Sequence, residues 1–320
     1  MTALIIIAAV LLLVIILLFI LCAFIFNQLV WCKTIPIPKF IEKMIAGNVD
    51  MTGSKFKSDS LCAVRNFKKL PLEKIEIKTD NGTLKANLLI PEKSNGRLII
   101  ACHGARSSGI GEFCFMGDYF YKNNYTVLLP EHRGCGKSDG KFMGYGTHES
   151  EDTMLWLKYA EKRFPNMSVY LLGVSMGAAT VLMMSDKVSR SEVKGIVADC
   201  AYTSAWDEFK YQMKKSFHLP PFPILNICNL YCKIFSKYSF RQAFPIKSVS
   251  RTDIPVLFIH GKADDYVPFY MEDLLFKNCS SPIKHKIAVD GAVHARSYYT
   301  NPKYYEQSLE KFFDETEKSV

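Results

Sequence analysis

No Lys, Arg, Asp or Glu occurs in the first 32 residues of this 320-residue chain. Ala3 to Val30 is almost wholly Leu, Ile, Val, Phe and Ala, longer than the ~20 residues a helix needs to cross a bilayer. Also missing are a basic leading region, a short apolar core and an A-x-A-like cleavage site, which argues against a removed signal peptide. The stretch FILC ending at Cys22 has the large Leu21 where a lipoprotein site needs a small residue. A membrane anchor over 3–30 is therefore expected. Lys33, Lys39 and Lys43 follow the span and no cation precedes it, which predicts a single-pass protein with the remainder in the cytoplasm.

Other absences narrow the function. The net charge of +9 is spread as single lysines, with no basic stripe interleaved with aromatics, so nucleic-acid binding is a poor reading and attraction to an anionic membrane surface a better one. The ten cysteines have no framework spacing, as in buried thiols of a reducing compartment. Cys228 and Cys232 are four apart, but no His or Cys pair nearby completes a zinc pattern. GCGKS at 134–138 fails as a phosphate loop, because the first glycine of G-x-x-x-x-G-K-[ST] falls at Glu131. No metal or organic cofactor is implied. Beyond the apolar run there is no repeat or low-complexity segment.

What is present alternates. Residues 33–70, with Pro36, Pro38 and FIEKMIAG, read as a linker and a short membrane-proximal helix. EKIEIKTDNGTLKANLLIP reads as a hairpin turning at Asn81-Gly82. Six short apolar runs then begin at 97, 125, 168, 193, 254 and 284, as in strands buried on both faces. Helical patterns over Glu149–Arg163, Met176–Val188, Tyr270–Asn278 and Pro302–Glu317 separate most of them. Strand and helix in alternation predict an α/β fold with a mostly parallel sheet covered on both faces. From Cys200 to Arg251 the alternation stops. Trp206, Phe209, Tyr211, Phe217, LPPFPIL, Tyr231, Phe235, Tyr238 and Phe240 suggest a helical insertion at one end of the sheet. As a lid it would supply most of an acyl pocket, Trp206 and Phe217 included. Lys210, Lys214, Lys215, Lys233 and Lys237 would then face water or lipid headgroups. Its alternative is extra core.

YLLGVSMGAATVLMM places Ser175 between Gly173 and Gly177, where a strand ends and a helix begins. The G-x-S-x-G turn lifts a serine hydroxyl above the strand ends, and a side chain at either glycine would crowd it. Such a serine needs a base, and the base a carboxylate. FIHGKADDYVP follows one buried run and VDGAVHARSYY follows the last, both on the serine's side of the sheet.

With CHGARSS, PEHRGCGKSDG, GVSMG, HGKADDYVP and GAVHA in this order, the chain resembles α/β-hydrolases of the serine-hydrolase type, near the single-domain, membrane-anchored bacterial members. The resemblance runs from about Leu72 onward. It implies a hydrolase domain over 71–320 with a lid at 200–251, Asp264 as the acid and His294 as the base. It also implies oxyanion donation from the backbone N–H groups of Ala105 and Met176. Glu131 stands where relatives often carry Asp. Asp265 competes with Asp264, but spacing to Val267 and Pro268 favours Asp264. Asp199, just past the run at 193, could serve as the acid of a rearranged triad, but is expected rather to cap a helix. His285 lies inside a strand run, His103 and His260 precede glycines in structural positions, and His132, His148 and His218 lack a suitable place. The implied activity is cleavage of a carboxylic ester or thioester, with an acyl or lipid-like substrate. A peptidase or amidase of the same fold and a non-catalytic binding protein are the alternatives.

Overall fold

The computed structural model describes residues 2–33, 36 and 54–318. The expected helix at FIEKMIAG lies outside the described residues. Helix α1 (Thr2–Val30) runs first. Helix α2 (Ser54–Phe67) occupies part of the segment expected to be a linker. Strands β1 (Leu72–Thr79) and β2 (Gly82–Leu89) form the expected hairpin. Its two-residue loop is Asp80-Asn81, one residue earlier than expected, because Thr79 pairs with Gly82. Gly82 takes φ 118° in strand register, and a side chain there would collide with Asp139 at 2.6 Å.

The next units are β3 (Arg97–Cys102), α3 (Gly109–Glu112), α4 (Gly117–Lys122), β4 (Thr126–Glu131) and α5 (Thr147–Arg163). Strand β5 (Ser168–Val174) leads directly into α6 (Met176–Leu182), and β6 (Gly195–Asp199) follows. Helix α6 stops short of the predicted Val188. There the Met184 amide closes back on Val181 O, and Ser185 O accepts from Thr252 Oγ1 at 2.7 Å. The aromatic-rich insertion forms α7 (Ala205–Lys215), α8 (Pro221–Tyr231), a π-turn (Cys232–Ser236) and α9 (Pro245–Val249). The chain ends with β7 (Val256–Gly261), α10 (Tyr270–Asn278), β8 (Lys284–Val289), α11 (Ser297–Thr300) and α12 (Pro302–Lys318).

The eight strands make one sheet in the order β1-β2-β4-β3-β5-β6-β7-β8. Strand β2 is antiparallel to β1 and β4, and the run β4-β3-β5-β6-β7-β8 is parallel throughout. Alternate side chains go to opposite faces. Leu98, Ile100 and Leu171 pack with Trp156, Leu157, Val181 and Leu275 of α5, α6 and α10. Ile99, Ala101 and Leu172 pack with Phe67, Phe120, Leu309, Phe312 and Phe313 of α2, α4 and α12. Both faces are thus covered, which explains why the inner strands are continuous apolar runs rather than alternating ones. Connections leave β3 toward β4 and β5 toward β6, so the order reverses between β3 and β5. The crevice at the carboxyl ends of these two strands is where open α/β sheets bind ligands.

Helix α1 has two parts. Thr2–Leu21 is exposed except for the partly buried Leu18, whereas Cys22, Phe26 and Val30 are buried on one face at i, i+4, i+8 spacing. That face enters a third cluster with Met143, Tyr145, Met176, Leu225 and Cys228. Backbone pairing continues the contact: Met143 N donates to Val30 O at 2.8 Å and Cys32 N to Lys141 O at 2.9 Å. Tyr145 Oη donates to Leu29 O at 2.7 Å, and the Arg106 guanidinium donates to the carbonyls of Gln28, Leu29 and Trp31. These donors occupy carbonyls that a helix end leaves without intrahelical partners. In detergent solution, Phe26→Ala therefore costs about 3–5 kcal/mol of unfolding free energy. Leu12→Ala, on the exposed part, changes it by less than about 0.5 kcal/mol. Chemical denaturation of the two variants against wild type checks the difference.

Candidate active site

Ser175 sits between β5 and α6 with φ 55° and ψ −116°, a conformation rarely adopted by a residue with a side chain. Packing enforces it. A Cβ on Gly173 would lie 2.2 Å from Gly177 O, and a Cβ on Gly177 would lie 1.9 Å from Cys102 O. Only glycine lets β3, β5 and α6 approach this closely. The Ser175 amide donates to Asp199 O at 2.8 Å, which fixes the turn to β6.

Ser175, His294 and Asp264 come together although 119 residues separate the serine from the histidine. His294 Nε2 is 2.9 Å from Ser175 Oγ, and His294 Nδ1 is 2.8 Å from Asp264 Oδ2. An ionised carboxylate can only accept, so Nδ1 carries the proton and Nε2 is left to accept from the serine hydroxyl. Asp264 Oδ1 accepts from the Tyr266 and Val267 amides, each at 2.9 Å. The Tyr266 ring covers the imidazole at 4.9 Å between centroids. Burial raises the Asp264 carboxyl, but His294 and His260 outweigh it and hold the group at about 2. Asp265 lies apart on the surface, paired with Lys215 Nζ at 2.7 Å.

The loop after β3 is locked by buried polar contacts. The His132 amide donates to His103 Nε2 at 3.0 Å, so His103 Nδ1 is protonated and donates to Gly104 O at 2.7 Å. Burial, reinforced by His132, depresses His103 well below the ordinary histidine range, keeping it neutral. Gly104 N donates to Glu112 Oε2 at 2.9 Å. A Cβ on Gly104 would sit 3.5 Å from Ser175 Cβ, so the loop abuts the serine. Ala105 follows on the wall of the adjoining cavity. Met176 is the first residue of α6, where an amide has no intrahelical acceptor.

Other polar groups serve the frame. His260 Nε2 lies 2.8 Å from Val267 O and 3.3 Å from Asp264 Oδ2, beneath the acid. Asp199 does not cap a helix as expected. Its carboxyl accepts from Ser297 Oγ at 2.8 Å and is raised by burial to about 7, while Ser204 caps α7. Glu131 is likewise raised by burial to about 7, with Oε2 4.0 Å from His103 Nε2 and making no hydrogen bond among the described residues. Cys200, Asp264 and His294 offer ligand atoms within 4.8 Å of one another. Burial raises the Cys200 thiol well above its ordinary range, and His294 Nδ1 and Asp264 Oδ2 are already hydrogen-bonded to each other.

A cavity of about 380 Å³ opens beside Ser175. None of its walls comes from the insertion, contrary to the expected acyl pocket containing Trp206 and Phe217. Trp206 instead stacks under Arg241, 3.7 Å from the ring centroid. The walls include Phe56 and Ser60 of α2, Arg106 and Ser107, Glu112, Phe113, Phe115 and Met116, and Arg296, Tyr298 and Tyr299. Phe56 stands edge-on to Tyr299 at 4.9 Å and carries the Arg296 guanidinium 3.7 Å from its ring centroid. Sequence reasoning missed these residues, although the aromatic pair just after His294 in VHARSYY was a signal.

The Asp264 shift has a sign. A carboxyl held near 2 in the fold, against about 3.9 ordinarily, stabilises the fold above pH ~4, and that stabilisation is lost as pH falls toward ~2. Wild type therefore exceeds Asp264→Asn in unfolding free energy at pH ~5, and the gap narrows by about 2 kcal/mol by pH ~2. Denaturant titrations across that range measure it.

A sequence profile for the alpha/beta hydrolase fold matches residues 97–219. The uncharacterized protein YqkD of Bacillus subtilis is 29% identical over 223 residues, covering 69% of this chain and 72% of that protein. An uncharacterized membrane protein of Saccharomyces cerevisiae is 24% identical over 67% of this chain and 70% of its own length. Among solved structures, a Pyrococcus furiosus esterase superposes with a TM-score of 0.64 at 21% identity, covering 78% of this chain and 93% of the esterase. Est1E of Butyrivibrio proteoclasticus, solved with ferulic acid bound, gives 0.60 at 19% identity over 76% and 98%. Sheet order, serine turn and these likenesses agree: the chain has the α/β-hydrolase fold.

Proposed function

We propose that this protein is a membrane-anchored serine hydrolase that cleaves a carboxylic ester or thioester through an acyl-enzyme. The hydrogen-bonded chain from Ser175 through His294 to Asp264 is the observation that carries the reading. In acylation, Ser175 Oγ attacks the substrate carbonyl while His294 Nε2 takes the hydroxyl proton, and Asp264 stabilises the imidazolium. The negative charge on the former carbonyl oxygen is met by the amides of Ala105 and Met176. Collapse breaks the bond to the leaving alcohol or thiol, which receives the proton from His294. Water then gives its proton to Nε2 and attacks the acyl carbon. The acid departs as the proton returns to Ser175.

The substrate reading is acyl and lipid-like. Phe56, Phe113, Phe115 and Tyr299 line a cavity that also touches Arg106, and Arg106 grips the last turn of α1. That turn lies about 10 Å along the axis beyond Leu21, at 1.5 Å per residue. With α1 as a single-pass anchor, the catalytic domain, cytoplasmic by its flanking lysines, would hold its cavity close to the lipid surface. The half-buried Glu112 carboxyl on the cavity wall is the feature that favours a peptidase, since it could meet a substrate amine. Its Oε2 is already engaged by Gly104 N.

Ser175→Ala and His294→Ala each lower kcat/KM on p-nitrophenyl butyrate by about 10⁴–10⁶-fold, and the double variant is little worse. Ser175→Ala also abolishes labelling by a fluorophosphonate, which a binding protein would not show in wild type either. Asp264→Asn falls by about 10⁴-fold, while Asp265→Asn stays within a few-fold. Steady-state assays decide between the carboxylates.

Chain-length preference tests the cavity. Each buried methylene adds about 0.8 kcal/mol to transition-state binding until the space is full. Phe56→Ala or Phe115→Ala shifts the preferred acyl length while sparing acetyl esters. Trp206→Ala leaves the preference unchanged. A p-nitrophenyl ester series measures both.

A further inference from the structure

The insertion carries a run of large apolar side chains that remain about half exposed or more. Phe222 is 75% exposed, Leu230 48%, Ile234 49% and Phe235 54%. Asn226, Leu230 and Ile234 are exposed at four-residue spacing along α8 and the π-turn, so they share one side, and Phe222 is exposed at the non-helical start of the segment. Opposite them, Ile224, Leu225, Cys228 and Cys232 are buried in the cluster that receives α1.

What covers this face is indicated by its neighbour. Tyr231 Oη donates to Phe19 O at 3.2 Å, with ring centroids 6.4 Å apart, and the Phe235 ring lies 6.0 Å from that of Phe26. Helix α8 and the π-turn therefore flank α1 at the point where its exposed stretch Thr2–Leu21 gives way to the docked one. That exposed stretch is about 30 Å long, the thickness of a bilayer's hydrocarbon core. The insertion's apolar face continues the apolar surface of α1 at the level where such a core would end.

Charge points to the same partner. From Phe209 to Thr252 there is no Asp or Glu, while eight Lys and Arg occur, at positions 210, 214, 215, 233, 237, 241, 247 and 251. Lys233 and Lys237 are exposed within the apolar stretch itself. Aromatic and aliphatic tips beside long basic side chains form the pattern of an element lying in the plane of an anionic membrane interface.

We propose that α8 and the π-turn form a second membrane-contact surface, seated in the interface of an anionic phospholipid bilayer through Phe222, Leu230, Ile234 and Phe235. The surface rests on the reading of α1 as a membrane span. With α1 it fixes the tilt of the domain, so that the cavity beside Ser175 keeps one orientation to the lipid.

The full chain, with Trp31→Phe and Trp206→Phe, retains the buried Trp156 as a constant background. It is reconstituted in phosphatidylcholine/phosphatidylglycerol vesicles whose lipids are brominated in the upper acyl chain. Leu230→Trp and Phe235→Trp, added separately, report on the new surface, and Leu13→Trp reports on the span. The proposal expects about half or more of the added fluorescence to be quenched at 230 and 235, as at 13. Quenching at 13 with none at 230 and 235 overturns the proposal and leaves the span standing. Quenching at none of the three overturns both.

Discussion

The approach of Gly177 to the Cys102 carbonyl, where a single added carbon would stand 1.9 Å from oxygen, is the contact on which the rest of the site depends. It brings the ends of β3 and β5 and the start of α6 to one point. Ser175, at φ 55°, then stands on the wall of the cavity. Strand order does the remainder. Because connections diverge between β3 and β5, the loops after both strands meet beside that serine, and the loops after β7 and β8 deliver Asp264 and His294. A strained backbone persists only where its surroundings over-determine it, and here the ends of β3, β5 and β6 do so.

The same region is tied to α1. Met176, next to the serine, packs in one cluster with Phe26 and Val30, and Arg106, next to Ala105, holds the last carbonyls of the helix. A hydrogen bond from a charged group is worth more than one between neutral partners, and a cation is favoured at a helix carboxyl end. The final turns of α1 thus belong to the domain core as much as to an anchor. The loop that would bind the oxyanion shares its rigidity with that helix.

Much of this was legible in the sequence because the relevant signals are local. Continuous apolar runs marked the buried strands, and G-x-S-x-G needs only five adjacent residues to declare a turn. HGKADDYVP and GAVHA marked loops at strand ends, and their order in the chain matched the sheet. What was hidden depends on distant convergence or on uniformity. The cavity joins Phe56, Arg106, Phe115 and Tyr299 from four separate elements, and Tyr299 also reaches Asp59, 240 residues away, through a 2.8 Å hydrogen bond. Residues 33–70 therefore read as a linker with a short helix and not as part of the site. Cys22, Phe26 and Val30 are apolar among apolar neighbours, so hydropathy could not distinguish the docked face of α1 from the exposed one. The aromatic insertion read as a lid over the serine for the same reason: composition reports burial, not which neighbour supplies it.

The account stands on a covalent acyl intermediate at Ser175. Rapid mixing of the full chain with excess p-nitrophenyl acetate, followed by acid quench and peptide mass analysis, tests it most directly. The account predicts a burst of p-nitrophenolate no larger than the protein present, and an acetyl group on the peptide containing Ser175. Turnover without a burst, with the acetyl group absent from that peptide or found on another residue, would contradict it.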